Sequence, residues 1–211
     1  MIRSNRACIV SQRSPKTGRS YTPLSNQAIH RTHFKLNAQA SYEDSIVLWL
    51  QADCWFADVR VNRDSGEIYS GFGGVTWWHR PTLFFQHIIN ISGNLTDQDI
   101  GQIALKSFGC LETGSLIEGS KRSIFEERWR FEQSQNTAVY TLIRRGKLIG
   151  LEIQTEKYCI LIIRNKAKVF SHCGHGSWRT IFSNASPANC WQPTLKKSRP
   201  EWLLRESASS R

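Results

Sequence analysis

From residue 32 onward the chain consists of short runs rich in Val, Ile, Phe, Tyr and Trp. They recur about every 8–15 residues and are separated by turn-forming clusters. No stretch of the body sustains a helical, 3.6-residue stripe. This pattern predicts strands at His33–Ala38, Ile46–Gln51, Trp55–Asn62, Ile68–Thr76, Leu83–Ser92, Gly101–Ser107, Cys110–Ile117, Ser123–Phe131, Ala138–Arg144, Leu148–Gln154 and Tyr158–Arg164. Two further segments, Val169–Cys173 and Arg179–Phe182, can add to them. Turns read at Arg63-Asp64-Ser65-Gly66, Ser92-Gly93-Asn94, Glu118-Gly119-Ser120, Ser134-Gln135-Asn136, Arg145-Gly146 and Asn165-Lys166. Successive hairpins without crossover helices make an antiparallel meander. So many strands in one small unit remove their edges best by closing. The expectation is therefore an all-β, up-and-down antiparallel barrel over residues 30–183, with an apolar interior.

Charge separates the ends from the body. The 211 residues carry a formal net charge of +11. Residues 1–42 hold seven basic residues and no acid, and 184–211 hold five basic residues against two acids. Between them, 43–183 is nearly balanced, with 16 basic and 15 acidic residues. A nucleic-acid-binding barrel needs its positive charge on a folded face, so no nucleic-acid partner is expected. Residues 1–29, rich in Ser, Arg, Asn and Gln, read as a disordered basic segment, and 184–211 as a weakly ordered basic tail. No run of roughly 18 apolar residues exists to span a membrane as a helix. Six cysteines lack the spacing of a zinc or redox pair and read as reduced thiols, which fits a cytoplasmic protein. If residues 1–29 are a transit peptide, the compartment is instead an organelle.

Strand alternation selects the residues of interest. In 55–61, Trp55, Ala57, Val59 and Val61 share one face, and Phe56, Asp58 and Arg60 the other. In 123–131, Phe125, Glu127, Trp129 and Phe131 share a face opposite Glu126, Arg128 and Arg130. Glu127 thus sits among aromatic residues, where an acid needs a partner or a raised pKa. Arg60 and His87 are the partners considered for it. Five of the eight tryptophans, Trp49, Trp55, Trp77, Trp78 and Trp129, fall in strands and either fill a core or line a pocket for a planar ligand.

Other motifs carry less. Gly71-Phe72-Gly73-Gly74 lacks a phosphate-loop lysine and reads as a bulge or barrel corner. His172-Cys173-Gly174-His175 groups three soft ligands without a further nearby pair, so no metal site is expected. Neither a nucleophile elbow nor a His-Glu-x-x-His pair occurs.

The order Gly71-Phe72-Gly73-Gly74-Val75-Thr76, Phe85-Gln86-His87-Ile88-Ile89-Asn90, Cys110-Leu111-Glu112-Thr113-Gly114-Ser115 and Ser123-Ile124-Phe125-Glu126-Glu127-Arg128-Trp129 resembles the Hri1-like family of lipocalin-like proteins. That resemblance implies a calycin-type barrel and, in yeast, protein partners; it implies no reaction. Phe125-Glu126-Glu127-Arg128 is also similar to the lipocalin-like phycobilin lyases, whose barrels hold a tetrapyrrole. The expected function is binding of a small apolar or planar ligand, or of a protein partner. Trp49, Arg60, Trp78, His87, Glu112, Glu127 and Trp129 are the expected lining residues. The alternative is an isomerase- or lyase-type enzyme with Glu127 as general acid or base. No cofactor follows from the sequence.

Overall fold

A computed structural model describes residues 22–93, 98–118, 121–144, 147–174, 177–184 and 206–207. Eight consecutive strands form a closed antiparallel barrel: β1 (Gln27–Leu36), β2 (Ser45–Ala52), β3 (Trp55–Asn62), β4 (Ile68–His79), β5 (Thr82–Asn90), β6 (Gln98–Lys106), β7 (Gly109–Glu118) and β8 (Lys121–Gln133). Closure is made by β1, which pairs with β2 on one side and with β8 on the other. The fold class expected from the sequence is the one observed. No helix among the described residues is long and apolar enough to cross a membrane.

Hairpin chemistry fixes the meander. At the β3–β4 turn the Asn62 side-chain oxygen accepts the N–H groups of Asp64 and Ser65, at 3.0 and 2.9 Å. Gly66 supplies the positive φ that this turn needs.

The extent of the barrel differs from the expectation. It closes at Gln133, and the strands that follow build a second, open sheet instead of extending it. These are β9 (Ala138–Arg144), β10 (Lys147–Gln154), β11 (Tyr158–Ile163), β12 (Lys166–His172), β13 (Trp178–Ser183) and β14 (Glu206–Ser207). The order across the sheet is β13-β12-β11-β10-β9-β14. At the other end, β1 begins at Gln27, so residues 27–29 belong to the barrel and not to a disordered segment. Residues 1–21 and most of 184–211 lie outside the described residues, as does the Arg145-Gly146 turn.

The second sheet lies against the outside of the barrel and makes the largest apolar core. Leu48, Leu50, Ala57, Val59, Val61 and Ile89 of the barrel meet Leu151, Ile153, Ile160, Ile162 and Val169 of the sheet. Each such side chain contributes roughly 1.5–3 kcal/mol when fully buried. The glycines of β4 set the separation of the two layers. A Cβ on Gly73 would stand 2.7 Å from the Leu151 side chain, and one on Gly71 would stand 3.3 Å from Ala167. The Gly71–Gly74 run therefore admits the covering sheet, and its register also shifts against β5 between Gly73 and Gly74.

This packing corrects the expected apolar interior. The apolar face of β3 points outward into the seam, and its other face, Phe56, Asp58 and Arg60, points into the barrel. Two bulges adjust the inward set. One at Thr32 lets both Arg31 and Phe34 face inward, opposite Trp129 and Glu127. The other at Ile88 turns His87 and Asn90 inward while Ile89 enters the seam.

Candidate functional site

The barrel interior is layered along its axis. At one end Leu24, Ile29, Val47, Phe56, Leu83, Ile103 and Cys110 form an apolar floor. Above it stand Trp49, Phe85 and Trp129. Trp49 meets Phe85 and Trp129 edge to face, with ring centroids 5.2 and 5.7 Å apart. The rest of the barrel is a cavity of about 1190 Å³ that opens toward the β1–β2, β3–β4 and β7–β8 hairpins. Its rim exposes Tyr42, Tyr69, Ile100, Leu116 and Ile124.

Between floor and rim runs a belt of charged side chains. Arg31 donates through Nη1 to Glu127 at 2.7 Å and through Nε and Nη2 to the two Glu43 oxygens at 2.8 and 3.0 Å. Burial opposes the Arg31 charge, but Glu43 and Glu127 overcome it and hold the guanidinium protonated. Arg60 reaches Asp58 at 3.3 Å through Nε and lies over the Phe72 ring. Burial pushes Asp58 up, with Arg60 and Arg31 pulling against it. His87 stacks on Phe72 with centroids 4.4 Å apart. Its Nε2 stands 3.1 Å from Asp99 Oδ2, off the hydrogen-bond line. Burial would raise Asp99, but His87 outweighs it and holds that carboxyl below its usual range.

Glu112 is the odd member. It is buried directly across β7–β8 from Glu127. It leans over Gly101, whose hypothetical Cβ would stand 2.1 Å from Glu112 Oε1. Burial and the charge of Glu127 push Glu112 well above the usual carboxylate range, with Arg60 and Trp129 pulling against them. Glu127 is raised as well, by burial, but Arg60 and Arg31 oppose that rise. Nearby groups are unsatisfied. Both His87 ring nitrogens complete no hydrogen bond with the described residues, and the Trp129 indole N–H reaches toward Glu112 without meeting full hydrogen-bond geometry. By contrast, the equally buried Trp49 N–H donates to Gln51 Oε1 at 3.0 Å.

Of the residues selected from sequence, Trp49, Arg60, His87, Glu112, Glu127 and Trp129 line this one cavity. Trp78 does not. It lies near the β4–β5 hairpin and packs against the apolar floor, below the cavity. Trp55 packs in the seam, and Trp77 stacks on Phe84 at 5.2 Å, away from the cavity. The contact partner of Glu127 is Arg31, not Arg60 or His87. Sequence reasoning missed Arg31, Asp58 and Asp99. Asp58 and Arg60 share a strand face, the one signal that could have linked them; Arg31 precedes the first expected strand, His33–Ala38, so alternation assigned it no face.

A solved structure shares this architecture. The crystal structure of an uncharacterised Saccharomyces cerevisiae protein, YLR301w, is similar with a TM-score of 0.63. The match covers 82% of this chain and 91% of that one at 12% identity. That span is longer than the barrel alone. At this identity the likeness shows the fold. No protein-family model and no curated protein sequence matches the chain.

Among the described residues no group of three His, Cys, Asp or Glu could hold a metal ion. His175 of the His172–His175 motif lies outside them. Cys54, Cys110, Cys159 and Cys173 are free thiols, and burial pushes Cys110 and Cys159 up, away from reactivity.

Proposed function

We propose that this protein is a lipocalin-like, Hri1-like binding protein that holds a small planar ligand in its barrel. One observation carries the reading. A cavity of about 1190 Å³ has an aromatic floor and a belt of buried polar groups, some without hydrogen-bond partners. Buried donors and acceptors are almost always satisfied, so orphans aimed into a cavity call for a guest or for ordered water. Trp49, Arg60, His87, Glu112, Glu127 and Trp129 are the binding residues of this reading, with Arg31 and Asp58 holding the charges in place. The apolar rim fits either the exposed end of the ligand or a protein partner. Free, buried thiols favour the cytoplasm as its compartment.

Native mass spectrometry and an absorption spectrum of freshly purified full-length protein test this. The expected result is a mass excess that disappears on denaturation, or tryptophan emission that shifts with an uncharged planar probe such as N-phenyl-1-naphthylamine. A barrel that is empty and unresponsive to the probe would defeat the reading.

The opposed pair of Glu112 and Glu127 favours a second reading, an isomerase- or lyase-type enzyme. Glu127 is then held as the base by Arg31, and Glu112 carries the exchangeable proton. It requires turnover that falls in Glu127→Gln while the fold and ligand affinity persist.

A further inference from the structure

The charges of the belt do not balance. Around the ion pairs, the carboxyls of Glu43, Asp58, Asp99, Glu112 and Glu127 face the guanidiniums of Arg31 and Arg60 and the His87 imidazole, while Asp44 and Arg122 line the cavity nearer its hairpin end. Each cationic group has a carboxylate: Arg31 has Glu43 and Glu127, Arg60 has Asp58, and His87 has Asp99. Glu112 alone among the five makes no ion pair with the described residues, although its side chain is buried in the cavity wall.

The surroundings of Glu112 explain what could pair with it. Gly101 leaves the space into which its carboxyl leans. Trp129 and Trp49 present aromatic rings to the same cavity, and Phe125 lies on the glycine face of Gly114. A buried carboxylate beside indole rings stabilises a cation twice over, by charge and by the ring quadrupole. The Trp129 N–H, buried beside Glu112, is directed at that carboxyl and helps to hold it in its ionised form.

Resting on the binding reading above, we propose that the ligand is an arylalkylamine whose ammonium group pairs with Glu112 on the cavity side of the Trp49–Trp129 pair. Arg60 stays with Asp58 and does not recruit an anionic ligand.

Three probes that share an indole ring but differ in charge separate the outcomes: tryptamine, tryptophol and indole-3-propionic acid, titrated calorimetrically into the full-length protein. Tryptamine should bind at least about tenfold tighter than the other two, the equivalent of one well-placed buried charge contact. Glu112→Gln should bring tryptamine down to the affinity of tryptophol, and Glu112→Asp should keep the preference. Tighter binding of indole-3-propionic acid, equal binding of all three, or a preference that survives Glu112→Gln would overturn the charge assignment. Absence of binding by all three, in a barrel that also purifies empty, would instead defeat the binding reading itself.

Discussion

The two faces of strand β3 differ more than two sides of one strand usually do. Ala57, Val59 and Val61 lie in a dry seam between barrel and second sheet, where the described contacts are apolar. Asp58 and Arg60, their immediate neighbours, lie in the cavity with Phe56 beneath them. A barrel normally places its core inside and its polar residues outside. Here the outer face of β2–β5 carries the main core because another sheet covers it. The upper lumen is thereby freed from supplying the main apolar core and can hold charges above the apolar floor. The uncovered outer face conforms to the ordinary rule: His33, Lys35, Glu126, Arg128 and Arg130 alternate with the inward residues of β1 and β8.

This contrast can be broken by substitutions at adjacent positions. The largest effect is expected for Val59→Asp, which puts an unpaired carboxylate into the seam. It should cost at least about 4 kcal/mol and leave no cooperative unfolding transition in urea. The neighbouring Asp58→Asn leaves Arg60, with a side chain 31% exposed, in reach of cavity water, and should cost about 1 kcal/mol or less. Comparable losses at both positions would erase the distinction between seam and lumen.

Next in size is Arg31→Met. It strands Glu43 and Glu127 without their cation and should cost about 3–5 kcal/mol by chemical denaturation. Adding Glu127→Gln should recover part of that loss, because one of the two stranded charges is removed. A lumen open enough to solvate those carboxylates would show little loss in the single variant.

Glu112→Gln has the smallest effect and the opposite sign. The folded protein raises the Glu112 pKa, so ionising it opposes folding. The penalty is absent below the unfolded carboxyl pKa of about 4.3 and grows as pH rises toward the folded value. Removing the titratable group should therefore stabilise the protein at neutral pH by about 0.5–1 kcal/mol, and the gain should vanish in acid. A loss of stability at neutral pH would mean that Glu112 has a cationic partner.

Strand positions were legible because alternation and turn chemistry are local. The observed β7 to β11 lie within a few residues of the expected segments. The orientation of β3 was not legible. A strand covered on both faces shows an apolar and a mixed side, and nothing within the strand says which side is enclosed. The first strand was misplaced for a related reason. Gln27, His30 and Arg31 look like a polar tail until the interior that pairs Arg31 with Glu43 and Glu127 is known. Bulges at Thr32 and Ile88 also broke the two-residue count in places that sequence does not mark. Glu127 was identifiable because an acid between aromatic residues conflicts with its local environment. Glu112 was named too, but its pairing with Glu127 depends on the register of β7 with β8.

The distribution of ordered water in a high-resolution crystal structure tests the central claim most directly. Water, or a retained ligand, should fill the barrel around Arg60, His87 and the Trp129 N–H, and the seam between Val59 and Leu151 should be dry. A collapsed, dry lumen, or water threading between the barrel and the second sheet, would contradict the account.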